Sequence, residues 1–381
     1  MAQSIYLDYA AATPIDKTVL AAMQPFLTTE FYNPSATYSA GRQSRQALEA
    51  ARQEVAVCLG ARPSEIVFTA GGTEANNLAV HGVMSQYAAS NMVISSIEHS
   101  ALKKPAAQFA TKIAAVGANG VIDLDDLLAK IDDTTVLVSV MYANNEIGTV
   151  QPLRAIAGLL ATIKKDRLRV GNTLPLLLHT DACQAPNYLD IHTAGLGVDL
   201  MTLNGGKIYG PKQTGCLFIK GGTSLTPQIT GGGQEHGLRS GTENVAGAVG
   251  FARALTLAQH QRNQEVLRLR ELQQEFYKQL SGQLPAAIIN GSTKVRLPNN
   301  VHLTVPGQDN ERLLMALDER GIMAAAGSAC SASSQTPSDV LASIGLSDEL
   351  AQASLRFSMG RQTTLAEVTT TVTALAKLVH N

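Results

Sequence analysis

The sequence predicts an α/β fold in which a mostly parallel sheet is covered by helices on both faces, followed by a smaller α+β region. Three observations carry this. Short apolar strands alternate with helical stripes up to about residue 244. Those strands are nearly continuous in apolar residues, as expected of a sheet buried on both sides. After residue 244 the alternation gives way to one long helical stripe.

The elements follow in order. Leu48, Ala51, Val55 and Cys58 give a helical stripe across 41–59. Residues 65–69 read as a strand, and Gly71-Gly72-Thr73 opens the next helix. Further strands are expected at 92–95, 135–140, 174–179 and 199–203, with helical stretches between them, including 152–165. Val245, Val249, Ala252 and Leu255, then Val266, Leu269, Leu272, Phe276 and Leu280, keep helical spacing and bridge to the second region. There 299–304 and 354–358 read as strands, and Leu365, Val368, Val372, Leu375 and Val379 mark a terminal helix.

The 381 residues leave room for two domains around a sizeable core. With 45% hydrophobic residues, 16% charged residues and a net charge of −1, the chain reads as a soluble globular protein. No basic excess marks a nucleic-acid or anionic-membrane partner. Residues 1–8 lack a charged start followed by an apolar run, and no segment is long and apolar enough to span a bilayer, so the cytoplasm is the expected location. Cys58, Cys183, Cys216 and Cys330 match neither a disulfide framework nor a zinc spacing. The first three read as structural, small hydrophobes.

Several strand ends carry residues suited to a bound group. Lys207 follows the apolar run 198–203 and lies between Gly205-Gly206 and Gly210-Pro211. Burial there would penalise its ammonium form and leave the neutral amine that a Schiff-base lysine needs. On this stretch alone, an exposed loop lysine is equally compatible. Ala70-Gly71-Gly72-Thr73 stands between a strand and a helix, where free N–H groups suit a phosphate. The same residues also make an ordinary turn and cap. They have neither the Walker lysine spacing nor G-x-G-x-x-G, which argues against a nucleotide.

Asp181, in His179-Thr180-Asp181-Ala182-Cys183-Gln184, falls at the C-terminal edge of the sheet, where open α/β sheets bind ligands. It would either keep a ring nitrogen protonated or cap a loop. His99, in Ser96-Ile97-Glu98-His99-Ser100, either stacks on a planar group or starts a helix. Asn144 and Asn145 offer neutral donors for a carboxylate or a phenolic oxygen. A phosphate-type turn, a planar-ring partner, an asparagine pair, an aspartate and a lysine at strand ends of one domain together fit pyridoxal 5′-phosphate (PLP).

On these motifs the chain resembles the class V, fold-type I PLP enzymes, and among them the cysteine desulfurases of the iron–sulfur-cluster type. The resemblance runs nearly end to end. It covers Tyr6-Leu7-Asp8-Tyr9-Ala10-Ala11-Ala12-Thr13-Pro14, Asn33-Pro34-Ser35, residues 65–77, Glu98-His99, residues 144–148 and 181–184, and residues 207–212. It continues through Gly231-Gly232-Gly233-Gln234-Glu235, Arg239-Ser240-Gly241-Thr242, residues 327–331 and Arg356-Phe357-Ser358.

The resemblance implies the PLP-dependent transferase fold of type I, with a seven-stranded type of sheet. A large cofactor-binding domain would span 15–260. Residues 1–14 and 261–381 would form a small domain carrying the catalytic-cysteine loop. Lys207 would be the Schiff-base lysine and proton carrier, Asp181 would pair with the pyridine nitrogen, His99 would stack on the ring, and Gln184 would bond the phenolic oxygen. Gly72, Thr73 and Asn204 would hold the phosphate, beside Gly206, with Thr242 reaching over from the second subunit of a homodimer. Arg356 would clamp the substrate carboxylate, with Asn145 and Asn33 nearby; a bidentate arginine suits that planar anion.

Cys330 lies in Ala324-Ala325-Ala326-Gly327-Ser328-Ala329-Cys330-Ser331-Ala332-Ser333-Ser334-Gln335, a run of small and polar residues that reads as a loop. A thiol exposed there suits a reactive role. In the resembled family this loop carries the nucleophile, and its long form marks one of two desulfurase groups. The implied reaction turns L-cysteine into L-alanine and leaves a persulfide on Cys330. An acceptor protein of iron–sulfur cluster or tRNA-thiolation pathways then takes the sulfur.

Two departures stand out. Desulfurases usually carry histidine before the lysine, against the phosphate, where this chain has Gly206. The loss of one charge-assisted hydrogen bond is expected to cost roughly 1.5–3 kcal/mol of PLP retention. The chain also ends at Asn381, just after the last helix, so docking of a cluster scaffold through a C-terminal tail is not expected. The rival readings are a selenocysteine lyase, another class V enzyme such as an aminotransferase, which does not need Cys330, and a PLP-free binding scaffold.

Overall fold

The computed structural model describes residues 4–327 and 338–380. Its strands, in chain order, are β1 (Ile5–Tyr6), β2 (Ile66–Thr69), β3 (Asn91–Ser95), β4 (Thr111–Ala114), β5 (Thr135–Ser139) and β6 (Leu177–Asp181). They continue with β7 (Leu200–Asn204), β8 (Gly215–Ile219), β9 (Ile288–Ile289), β10 (Asn300–Thr304), β11 (Ile322–Met323) and β12 (Ser354–Ser358). The main sheet has seven strands in the order β2-β8-β7-β6-β5-β3-β4. Every pairing from β7 to β4 is parallel, while β8 runs against both β2 and β7.

This is the mostly parallel sheet the sequence predicts, with three differences, the first being β8, which is not among the expected strands. β4 is absent from the sequence reading, because Thr111-Lys112-Ile113-Ala114 forms an edge strand without a continuous apolar run. The strand expected over 174–179 instead spans Leu177–Asp181, which makes Asp181 its last residue.

Successive residues of a strand point to opposite faces. Met92 and Ile94 of β3 join an apolar cluster with Leu78, Val83 and Leu217. Val93, between them, joins another with Val55, Phe251 and Leu255. Both faces are therefore covered, which is why the strands read as unbroken apolar runs. The helix Gly72–Met84 covers one face, and the helix Ser39–Leu59 and the start of the helix Val245–Gln283 cover the other.

The helix Val245–Gln283 continues into a third cluster through Leu269, Leu272, Phe276 and Leu280. That cluster also holds Val301 and Leu303 of β10, Phe357 of β12, and Val368 and Val372 of the helix Leu365–His380. The antiparallel sheet β12-β10-β9 and the parallel pair β1-β11 complete the fold. The N-terminal segment laces the two regions together. Ile5 and Tyr6 pair with Ile322 and Met323, Ser358 N donates to Leu7 O at 2.7 Å, and Thr13 N donates to Gly206 O at 3.1 Å. Among the described residues no helix is long and apolar enough to cross a membrane.

Candidate active site

A cavity of about 390 Å³ and another of about 210 Å³ lie in the large region, and the smaller one gathers most of the residues singled out above. Its wall includes Gly72, Thr73, His99, Asn145, Asp181, Gln184, Asn204, Lys207 and Arg356. Asp181 and Asn204 are the last residues of β6 and β7, so the sheet delivers them side by side at its C-terminal edge.

Asp181 is oriented by two neutral donors. Asn76 Nδ2 donates to Oδ2 at 2.7 Å and Cys183 N donates to Oδ1 at 3.0 Å. Asn76 lies one turn along the helix from Gly72 and shares its face. Gly72 is required by close approach: a Cβ there would lie 2.7 Å from Cys183 Sγ and 3.5 Å from Asn204 Nδ2. No side chain caps this helix, so its first N–H groups stay open to an anion.

His99 caps the start of the helix Ser100–Ala106, the second of its two sequence readings, and also lines the cavity. Its Nδ1 accepts from Ala101 N at 3.1 Å, which leaves the ring proton of the neutral form on Nε2. Burial lowers its pKa, against the opposing charge of Asp181. Beneath it, Glu98 is buried; its Oε1 accepts from Ser95 Oγ at 2.6 Å and from Met141 N at 2.7 Å. Burial pushes this carboxyl up to about 8, with the charge of Asp181 adding to the rise.

Lys207 ends the short 3-10 turn Gly205–Lys207, and its Nζ donates to Ala10 O at 2.9 Å and Ala11 O at 2.5 Å. It is half-buried at the cavity wall, between the buried and the exposed readings that its sequence left open. Gln184 Nε2 shares the Ala10 carbonyl at 3.0 Å. Arg356 is only 1% exposed. Its Nη2 donates to Asp8 Oδ1 at 2.6 Å and its Nη1 to Asn145 O at 3.0 Å.

The structure leaves Gly206 and Asn33 off this wall, and Thr242, expected to act from a second subunit, lies elsewhere on its own chain. Gly206 has no side chain to reach the wall, and its peptide groups are engaged elsewhere: its N donates to Asn204 Oδ1 at 3.0 Å and its O accepts from Thr13 N. Asn33 is exposed and accepts from Ser35 N at 2.8 Å in a local turn. Thr242 is exposed and lines the larger cavity with Lys212 and Arg239. Cys330 lies outside the described residues. Conversely, the sequence reading gives no role to Asn76 or Asp8, and reads Cys183 as structural only. The spacing of Asn76 from Gly72 was the usable signal for the first, whereas nothing in sequence joins Asp8 to Arg356. Cys183 lines the cavity, and burial with the nearby Asp181 raises its pKa well above the usual value.

The class-V aminotransferase family matches residues 5–370, the whole of this architecture. The chain belongs to that family. It is 38% identical over 388 residues to the cysteine desulfurase IscS of Dictyoglomus turgidum, covering 100% of this chain and 95% of that one. Among solved structures it is similar to a NifS-like protein, with a TM-score of 0.90 and 30% identity over 99% of this chain and 100% of the other. It is also similar to SspA in complex with cysteine, with a TM-score of 0.79 and 32% identity over 93% and 99% of the two chains.

The family's cofactor is PLP, and the chain has the PLP-dependent fold of type I. The residues present fit that group. The uncapped helix start at Gly72, the carboxylate of Asp181, the imidazole of His99 and the amine of Lys207 border one space.

Proposed function

We propose that this chain is a PLP-dependent cysteine desulfurase that converts L-cysteine to L-alanine and places the sulfur on Cys330. The observation that carries this reading is the meeting of Lys207, Asp181, His99 and Arg356 on one cavity wall, in a chain related over its whole length to cysteine desulfurases.

PLP, when bound, supplies the electron sink for negative charge at the substrate Cα. The residues do the rest. The open amides at Gly72, the Thr73 hydroxyl and Asn204 bind the phosphate, and Thr242 reaches it from a second copy in a homodimer. Asp181, fixed by Asn76, holds the proton of the ring nitrogen. His99 faces the ring, and Gln184 turns its second amide hydrogen to the phenolic oxygen. Lys207 would hold the cofactor through its amine and would take and return the proton of the substrate Cα. Arg356, steadied by Asp8 and the Asn145 carbonyl, takes the substrate carboxylate in its fork, with Asn145 and Asn33 at the edge. Gly206 leaves the phosphate side without the usual histidine.

Over one turnover the Cβ–S bond of L-cysteine breaks, an S–S bond forms at Cys330, and L-alanine leaves with the proton balance closed by the persulfide S–H. An acceptor protein for iron–sulfur clusters or tRNA thiolation then removes the sulfur in the cytoplasm. The cofactor-binding domain over 15–260 and the small domain over 1–14 and 261–381 belong to the same reading. The test is incubation of PLP-loaded protein with L-cysteine and dithiothreitol, which reduces the Cys330 persulfide and is itself oxidised to its disulfide. L-alanine and sulfide are expected from the wild type and neither from Lys207→Ala; a wild type that makes no L-alanine overturns the proposal.

A further inference from the structure

Glu98 has no part in the chemistry above, yet it fills a gap in the sheet at the cavity wall. β3 pairs with β5 as far as Ile94 and Ser139, and β3 ends one residue later at Ser95. The chain of β5 runs on past that point. Val140 N donates to His179 O at 3.1 Å and Tyr142 N donates to Asp181 O at 2.9 Å, both toward β6. Successive amides of an extended chain point to opposite sides, so Met141 N faces the side that β3 has left. Met141 is buried, and a buried amide needs an acceptor. Glu98 Oε1 is that acceptor, at 2.7 Å.

The same oxygen accepts from Ser95 Oγ at 2.6 Å, so one carboxyl group joins the end of β3 to the extension of β5. The rest of the turn is anchored as well. Ser96 N donates to Ala114 O of β4 at 2.9 Å, Asn144 Nδ2 donates to Ile97 O at 3.0 Å, and Ile97 is buried in the large cluster. The next residue after Glu98 is His99, which lines the cavity, as does Met141. Glu98 is 2% exposed, and its Oε2 meets no hydrogen-bond partner among the described residues. A carboxyl so placed is an unfavourable way to fill space alone. Burial makes its neutral form prevail at pH 7, and an amide mimics that form.

We infer that Glu98 is a positioning residue that fastens the turn 95–99 to the Met141 amide, and so sets where the imidazole of His99 meets the cofactor ring. The inference rests on the reading in which His99 faces that ring, and on no step that involves cysteine. It gives the wall around Asp181 a second support. Asn76 fixes Asp181 from the helix Gly72–Met84, whereas Glu98 fixes His99 from the sheet.

The test uses the full chain loaded with PLP, as Glu98→Ala, Glu98→Gln, His99→Ala and the double variant Glu98→Ala with His99→Ala. The readouts are the visible absorbance of bound PLP and the affinity for PLP, both without substrate. His99→Ala is expected to shift the absorbance band and to weaken PLP binding about 2- to 10-fold, the scale of one stacked ring pair. Glu98→Ala is expected to shift the band in the same direction and to weaken PLP by a similar factor. The double variant is expected to bind PLP no more weakly than His99→Ala alone. Glu98→Gln, which keeps an oxygen acceptor for Met141 N and Ser95 Oγ, is expected to retain both wild-type values. Wild-type values in Glu98→Ala overturn the inference and leave the His99 reading intact. Losses that add in the double variant also overturn it, because Glu98 would then act on PLP independently of His99. If Glu98→Ala fails to fold, Glu98→Asp, shorter by one methylene, gives the same pattern or overturns the inference. Wild-type values in His99→Ala remove the His99 reading and the inference with it. Failure of the desulfurase reading shows separately, as L-alanine missing from the cysteine assay, and leaves these readouts unchanged.

Discussion

The cavity has two walls of different origin. One is built by the ends of β6 and β7 and the helix Gly72–Met84, which present Asp181, Asn204, Lys207 and Gly72. The other is assembled from distant pieces: Ala10 and Ala11 of the N-terminal segment, Asn145 after β5, and Arg356 of β12. The first is one continuous piece of sheet with its covering helix. The second exists only because the N-terminal segment pairs with β11 and β12 and then runs under Lys207. The sheet wall is continuous within one region, whereas the assembled wall exists only when both regions are folded together.

The largest expected effect tests the sheet wall. Lys207→Ala should lower cysteine turnover by about four orders of magnitude or more, as expected for loss of a group central to the chemistry, with loss of the visible absorbance of lysine-bound PLP. If that absorbance survives, Lys207 is not the linkage. The assembled wall is tested by Arg356→Lys, which keeps the charge and loses the fork. A fall of about 10- to 100-fold in kcat/KM for cysteine is expected, with the cofactor spectrum unchanged. A change confined to the spectrum would assign Arg356 to the wrong wall.

A smaller effect is expected at Gly206. A Cβ there would lie 3.5 Å from Asn204 Oδ1, 3.7 Å from Lys212 Cγ and 3.8 Å from Lys212 Cα, all ordinary contacts, so the position has room for a Cβ. Gly206→His is expected to tighten PLP binding at least about tenfold, the lower end of the roughly 1.5–3 kcal/mol of one charge-assisted hydrogen bond. An unchanged affinity would show that the phosphate side has no unmet contact.

The smallest effect concerns Glu98 and stability rather than turnover. Its folded-state pKa of about 8 lies above its ordinary value of 4.5. The folded state therefore binds the extra proton between these values. The associated stability is fully present at acid pH and declines as pH rises through that window. Glu98→Gln should flatten the decline in denaturant titrations between about pH 5 and 8. An unchanged slope would mean that Glu98 is not the group responsible.

The same contrast explains what the sequence disclosed. Asp181, Lys207 and the Gly72 turn were legible because each ends or follows an apolar strand, a pattern confined to a few neighbouring residues. β4 was not, because an edge strand with a lysine lacks the apolar run on which the reading depends. Arg356 was reached only through a resemblance. Its partner Asp8 was not reached at all, because the ion pair joins residues 348 positions apart. The pairing follows from β12 lying beside the N-terminal segment, a fact of topology and not of local pattern. Likewise the shared support of Lys207 and Gln184 at the Ala10 carbonyl involves a backbone atom, which carries no signature in a side-chain pattern.

The most direct measurement is a single turnover of PLP-loaded protein with one equivalent of L-cysteine, followed by mass spectrometry of the peptide that contains Cys330. The account predicts that this peptide becomes heavier by one sulfur atom in step with L-alanine formation, and that Cys330→Ser loses both. L-alanine formed at the wild-type rate in Cys330→Ser, or sulfur found on Cys183 instead, would contradict it.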